Sequence, residues 1–307
     1  MSSVIATSAA GGQSEWMTGV TRRFVRASLY VLAVAGAALF MGPFFFAISS
    51  SLKTSAEIHQ FPPLLWPARP AFENYIRLFQ MDGVHFAQWY LNSLIITCAS
   101  VLGTVVTATA AAYGFSRFRW RMREFFFIVL LSTLVLPEEV VIIPKFLMFH
   151  FVPLALFGHT WIDTWWPLIL PSWFGGGAFS VFLLRQFFLQ VPRDLDEAAV
   201  IDGASSWQIL WNILLPLAQP ALATVAIFSF LTHWNDFFHP LIYLSTVESF
   251  PLSVGMRWFQ QYATDPSEPR DNLLMAASML MVLPCVIIFF TMQRYFVRGI
   301  VMSGIKG

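Results

Sequence analysis

The sequence predicts an all-α integral membrane protein with six transmembrane helices, on three observations. Apolar residues make up 57% of the chain and charged residues 11%, against about 45–50% and about 25% in soluble domains. The apolar residues gather into six runs, each close to the ~20 residues that span a bilayer. With both termini assigned to the cytoplasm, the 18 Lys and Arg divide 12 inside to 6 outside, as the positive-inside rule requires. The 32 Phe and 12 Trp suit lipid-facing surfaces and interfacial belts. Net charge of +1 gives no reason to expect nucleic acid, and no basic patch is large enough to suggest it.

Residues 1–21 are rich in Ser, Ala, Gly and Thr and read as a disordered cytoplasmic tail. A six-span membrane domain is expected over 22–294 and a cytoplasmic tail over 295–307. Arg22, Arg23 and Arg26 precede the first run, Ala27 to Leu52. That run exceeds the apolar core of about 7–15 residues in a signal peptide, so it reads as an anchor. An external segment follows. It holds a Pro-rich turn at 61–67 and a short amphipathic helix with Phe72, Tyr75, Ile76 and Phe79 on one side and Glu73, Asn74 and Arg77 opposite. The second span covers about Leu91 to Gly114. The cations at 117, 119, 121 and 123 behind it read as a positive-inside anchor rather than a nucleic-acid patch.

The third span, about Phe125 to Phe146, carries Glu138 and Glu139 between Pro137 and Pro144. A carboxylate in hydrocarbon costs about 2.5–3.5 kcal/mol. The pair must therefore face water, either at an interfacial helix end or at the mouth of a cavity. Residues 147–163 read as an outer loop, and the fourth span covers about Trp166 to Leu184. Gly175, Gly176 and Gly177 inside it mark a close helix crossing or an unwound segment, because no phosphate-binding loop pattern follows them. The fifth span, about Gln219 to Leu244, contains Trp234, Asn235 and Asp236 with His233 and His239 nearby. Intramembrane polar groups are functional candidates, and a structural hydrogen bond is the competing reading. Residues 248–271 read as an external loop and Leu273 to Gln293 as the sixth span. Cys98 and Cys285 lie in apolar runs and read as buried thiols, with neither a metal site nor a disulfide framework.

The densest acidic cluster lies between the fourth and fifth spans, in residues 192–216. Asp194 as N-cap with Glu197 three residues on is an Asp variant of the capping box, and Gly203 supplies a left-handed end. A second helix starts at once, with Ser205 capping and Gln208 at N3. Trp207, Leu210, Trp211 and Leu214 follow its apolar period, and Pro216 bends the chain before the next span. An amphipathic loop helix often lies on lipid headgroups. Headgroups favour cations, however, and this polar face is acidic, so a protein partner fits better.

Glu197-Ala198-Ala199, Gly203, then Ile213-x-Leu215-Pro216 resembles the EAA loop of ATP-binding-cassette (ABC) importer permeases. The flanks 176–179, 185–188, 234–237 and 295–299 resemble those of the sugar-importing, maltose-permease-like branch. The resemblance runs from about residue 27 to the end. It implies a type I ABC importer permease fold in the inner or plasma membrane of a bacterium or archaeon. It further implies a subunit that is not itself an enzyme and that forms half of a translocation pathway for a sugar. Its partners would be a second permease subunit, two cytoplasmic ATPase subunits that bind ATP and Mg, and an external solute-binding protein.

The resemblance assigns ATPase coupling to Glu197, Ala198, Ala199, Asp202, Gly203, Ile213, Leu215 and Pro216. Glu138, Glu139, Trp234, Asn235 and Asp236 are the substrate-pathway candidates. Neutral polyols suit carboxylates, Asn and stacking rings, whereas a phosphate ester would want Arg or Lys. A sugar is thus favoured over glycerol phosphate, with a permease for glycerol phosphate or another polyol as the alternative. An ion-coupled secondary transporter is the alternative from another class, although the inverted repeat usual there is not visible.

Overall fold

The structure, a computed structural model, describes residues 8–81, 83–263 and 270–304, and all its regular elements are helical. Five helical segments are long and apolar enough to cross a bilayer: Arg23–Ser51, Phe86–Ser116, Glu138–Phe157, Trp166–Gln190 and Asp271–Gln293. A sixth candidate is the pair Ser206–Leu217 and Gln219–Trp234, which meet at 79°.

The first helix, Ser8–Ser51, takes in residues 8–21 of the segment expected to be a disordered tail. Once an apolar span has nucleated, each added residue costs only helix propagation. This helix packs along the last one and turns most of its apolar side chains outward, Phe40 being 78% exposed. The last helix, Asp271–Gly304, likewise continues past the expected end at Gln293.

The third span departs most from expectation. Arg123–Ser132 and a 3-10 turn at Thr133–Val135 end at a break, and Glu138–Phe157 then runs on as a helix. Residues 147–157 are therefore helix rather than outer loop. Leu136, which precedes a proline, is extended at ψ 119°, because the proline ring disfavours the helical region for its neighbour. Glu138 and Glu139 consequently open a new helix, where the positive end of its dipole favours them. Gly158, at φ +77°, closes it.

Two external segments also differ. In the helix Glu73–Gln80 the buried residues are Asn74 and Leu78, while Phe72, Ile76 and Phe79 are exposed. Asn74 Nδ2 donates to the carbonyls of Ser51 at 2.8 Å and Lys53 at 2.9 Å. Its Oδ1 accepts from Asn272 at 3.0 Å. A buried polar group is tolerated when its hydrogen bonds are met. This one ties the first helix, the external helix and the last helix together. Residues 252–263, read as loop, form the helix Leu252–Ala263, with Phe259 fully buried and Trp258 edge-on to Trp89 at 5.8 Å.

The loop after Phe157 is pinned by Asp163, whose carboxylate accepts from the backbone N–H groups of Ser245 at 2.8 Å and Thr246 at 2.9 Å, and from the Thr246 hydroxyl. Burial pushes this carboxyl up, but the bonds from Thr246 and Ser245 outweigh it and hold the group below its ordinary value. A depressed carboxyl stabilises the fold above its unfolded pKa of about 3.9 and loses that contribution as pH falls through the folded value. Thermal unfolding of the purified protein should thus show an acid-side loss below about pH 4. Asp163→Asn should make that loss smaller, and an unchanged acid limb would refute the assignment.

Candidate functional site

The residues from 192 to 217 form an elbow at one end of the bundle. Its first arm is the helix Asp194–Ile201, with Arg193 rather than Asp194 as N-cap and no side-chain capping bond. The expected Asp capping box is therefore absent. Asp196, in the same first turn, has its carboxylate 3.1 Å from Arg117. The pair is nearly buried, with side chains 6% and 19% exposed. It is a charge contact rather than an aligned hydrogen bond, since Arg117 Nε and Asp196 Oδ1 have no hydrogen-bond partner. Arg117 also donates to the Val191 carbonyl at 3.1 Å, and Arg193 to that of Ser116 at 3.3 Å. Cations expected only as a membrane anchor thus fix the arm to the end of the second span.

The arm ends as expected at Gly203, φ +82°. Ala204 N–H reaches back to the Ala199 carbonyl at 2.8 Å, and Gly203 N–H to that of Val200 at 3.0 Å, the bond pair of a left-handed helix end. Ser205 and Gln208 then form the expected capping box. The second arm, Ser206–Leu217, contains a π turn at Leu210–Leu214. That extra residue in the turn rotates the face. Ile209, Leu210 and Leu214 are buried, whereas Trp207 and Trp211 are 65% and 60% exposed and stack on each other at 5.9 Å. The apolar period through Trp207, Leu210, Trp211 and Leu214 therefore does not give one buried face. The bend falls at Ala218, just past Pro216, before Gln219–Trp234 begins.

Ala199, Ile209, Leu210, Leu214 and Ala218 join one apolar cluster with Ala108 and Tyr113 of the second span and Val181, Leu184 and Phe188 of the fourth. Tyr113 adds a hydrogen bond from its hydroxyl to the Ser206 carbonyl at 2.8 Å. Glu197, Ala198, Asp202, Gly203 and Pro216 are exposed, with Val200 and Ile201 beside them, while Ile213 and Leu215 are half-buried and Ala199 is buried. The elbow is thus welded to the spans on one side and presents acids and small apolar groups on the other.

Behind it, buried Arg185 holds both oxygens of Glu124, at 3.0 and 3.1 Å, and lies 4.0 Å over the Phe127 ring. No local signal marks this pair, because its members are 61 residues apart. Removing one member of a nearly buried ion pair costs about 3–5 kcal/mol. Arg117→Met should accordingly loosen the elbow and lower ATP-driven uptake more than Arg119→Met, measured side by side in vesicles with equal subunit content. Equal losses would refute the role of the Arg117–Asp196 pair.

A second polar group lies where two helices break, with Glu138 exposed. The fifth span breaks after Trp234 and resumes as Phe238–Tyr243. Asp236 sits in the break, accepting from His239 N–H at 3.2 Å and meeting His239 Nδ1 at 3.0 Å. His239 Nε2 faces Glu138 Oε2 at 3.8 Å, across from the break in the third span. The two helix breaks thus bring Glu138 and Asp236 to one histidine. Glu139 is exposed on the same first turn as Glu138, and Asn235 folds back onto the Leu231 carbonyl at 2.8 Å. Trp234 is buried, donating to the Met281 carbonyl at 3.0 Å and stacking on Phe230 at 5.5 Å. His233 is engaged by Ser172 at 3.0 Å and by the Ser229 carbonyl at 2.7 Å. Lys145 lines an apolar cavity of about 430 Å³ with Met148, Phe149, Val152, Trp161 and Leu170.

A family model described as the binding-protein-dependent transport system inner membrane component matches residues 99–302. The arabinooligosaccharides transport system permease protein AraQ of Bacillus subtilis (strain 168) is 31% identical over 271 residues, covering 88% of this chain and 92% of that protein. The sn-glycerol-3-phosphate transport system permease protein UgpE of Yersinia pestis bv. Antiqua (strain Antiqua) is 29% identical over 286 residues, covering 92% and 98%. A chain in the crystal structure of a bacterial ABC transporter that imports the acidic polysaccharide alginate superposes with a TM-score of 0.76 at 26% identity, covering 90% and 98%.

Proposed function

Because the chain belongs to the binding-protein-dependent transport system inner membrane components, the multi-pass permease subunits of ABC importers, we propose that it carries a sugar and is driven through the elbow at 192–216. As a permease it is the non-enzymatic transmembrane subunit, and ATP hydrolysis belongs to separate subunits. The elbow end, with the N- and C-termini, faces the cytoplasm, where the excess of Lys and Arg belongs. A second permease subunit completes the pathway, two ATPase subunits holding ATP and Mg sit beneath, and an external solute-binding protein delivers the substrate. The membrane is the cell's inner or plasma membrane.

The observation that carries the reading is the two-sidedness of the elbow. The buried cluster and the Arg117–Asp196 contact make it move with the second and fourth spans as one body. Glu197, Ala198, Ile201 and Gly203 stand exposed on its other side. A short stiff lever of this kind transmits a rigid-body displacement. A closing cleft in the ATPase would grip the exposed side, with Asp202, Ile213, Leu215 and Pro216 setting the angle between the arms.

A sugar substrate fits the polar group of Glu138, Asp236 and His239, because carboxylates and an imidazole suit hydroxyl groups and the two carboxylates repel phosphate esters. A relative named for arabinooligosaccharides agrees with it, the alginate importer shows a sugar polymer carried on this fold, and a relative named for sn-glycerol-3-phosphate keeps a polyol phosphate as the competing substrate. The deciding experiment is co-purification of the complex, then ATPase activity with its solute-binding protein and a panel of solutes. Stimulation by an oligosaccharide is the expected result. Stimulation by glycerol phosphate alone would replace the sugar, and uptake that survives ATP depletion but collapses with the proton gradient would replace ATP coupling.

A further inference from the structure

The loop that joins the second and third spans folds into an open cleft of about 770 Å³, lined by Arg119, Arg121, Arg123 and Arg193 around Trp120. Neither the elbow's exposed side nor the polar group at the helix breaks uses it. One carboxylate, Glu124, lies on its wall, but that group is already engaged by Arg123 at 2.7 Å and Arg185 at 3.0 Å. Arg193 is tied to the Ser116 carbonyl. Arg119 and Arg121 are exposed and hold no ion pair among the described residues. With Arg123 already paired to Glu124, the guanidinium groups of Arg119, Arg121 and Arg193 repel each other across the cleft unless an anion lies between them.

The local fold holds them there. Met122 adopts a left-handed conformation, φ 69°, and caps the helix Arg123–Ser132. The first residues of that helix form part of the cleft wall, adding the positive end of its dipole to the arginines. The rim is aromatic. Trp120, Phe125 and Phe126 are 42%, 55% and 48% exposed, with Trp120 and Phe126 in ring contact at 5.7 Å. The cleft residues begin at Arg119, three positions past the end of the span Phe86–Ser116, so the cleft lies beside the end of a membrane-crossing helix.

We propose that this cleft holds the phosphate of an anionic phospholipid headgroup. Arginine forks match phosphate oxygens in pairs, and basic pockets at the cytoplasmic membrane face take anionic headgroups. The exposed rings select lipid over an acidic protein surface, because the same groove offers cations to the phosphate and apolar contact to the chains beside it.

The test uses the assembled complex in nanodiscs of phosphatidylcholine with graded phosphatidylglycerol. Its readouts are lipid retained in native mass spectrometry and the thermal midpoint. Wild type should retain phosphatidylglycerol and gain stability with its fraction. The Arg119→Gln/Arg121→Gln variant should bind it about five-fold more weakly per arginine lost, from ~1 kcal/mol per cation near the surface. Arg119→Lys/Arg121→Lys should keep most of the binding, which a merely folding-related defect would not do. Unchanged retention in the glutamine variant would overturn the site. Inorganic phosphate protecting the complex equally in pure phosphatidylcholine would overturn the lipid source in favour of a soluble phosphate. Loss of the ATPase subunits from the glutamine variant, with lipid retention intact, would reassign the cleft to a protein contact.

Discussion

Glu197→Lys is expected to abolish ATP-driven uptake while leaving the subunit folded and assembled in the membrane. Glu197 is exposed, and only its backbone is committed, its N–H reaching the Arg193 carbonyl at 3.0 Å. A cation in the first turn of a helix costs about 0.3–1 kcal/mol against the dipole, which is small beside a folding stability of about 5–15 kcal/mol. The fold should survive, so any loss of transport must arise where the elbow meets its partner. There the change reverses a charge, and each ~1.4 kcal/mol forfeited at a docking contact is a factor of ten.

Gly203→Val should have a similar effect by another route. Valine at φ +82° pays a left-handed penalty of about 1–2 kcal/mol. The chain can escape only by giving up the two bonds that set the angle between the arms. Uptake in proteoliposomes with the solute-binding protein, together with subunit content and ATPase rate, reads both variants. Both should lose coupling at normal subunit content. Wild-type uptake by Glu197→Lys would end the coupling assignment.

Gly176→Ala and Gly255→Ala are expected to fail earlier, at folding. A methyl on Gly176 would lie 2.6 Å from the Thr104 carbonyl oxygen and 2.7 Å from the Ala108 methyl, at a backbone φ of +63°. Overpacking costs about 1–3 kcal/mol and the left-handed conformation about 1–2 more, and neither the second-span backbone nor Ala108 can step aside. On Gly255 the methyl would run into the Trp89 ring, which is fully buried and held by its hydrogen bond to the Val247 carbonyl at 2.8 Å. Gly103 is the informative contrast. Its methyl would meet Trp173 at 2.6 Å, but that ring is 39% exposed and has room to turn. Membrane yield and thermal midpoint of the purified complex should fall steeply for the first two and mildly for Gly103→Ala. Three equal losses would show that the Trp173 ring is as fixed as its buried counterpart.

The features legible beforehand share one property: each is decided within about four residues. Apolar runs, the capping box of Ser205 and Gln208, the left-handed end at Gly203 and the unwound glycines at 175–177 all depend on near neighbours, and all are present. The misread features depend on distant ones. The proline at 137 could be seen, but it took the helix through to Phe157 to show that Glu138 opens a new segment rather than interrupting an old one. In the sequence His239 is marked only by lying near Asp236. Its link between Asp236 and Glu138 exists because two helix breaks lie opposite each other.

Composition, spacing and local backbone chemistry by themselves determined that this chain is a helical membrane protein with an acidic elbow between its fourth and fifth spans. Only the tertiary structure decided which sides of its helices are covered. Asn74 went inside because Asn272, 198 positions away, supplies its donor. Trp207 and Trp211 went outside because a π turn re-aims the second arm. Asp196 meets Arg117 at the end of the second span. Local signals fix a residue's backbone geometry, whereas the partner that satisfies a buried polar or charged group is supplied by whichever distant segment packs against it.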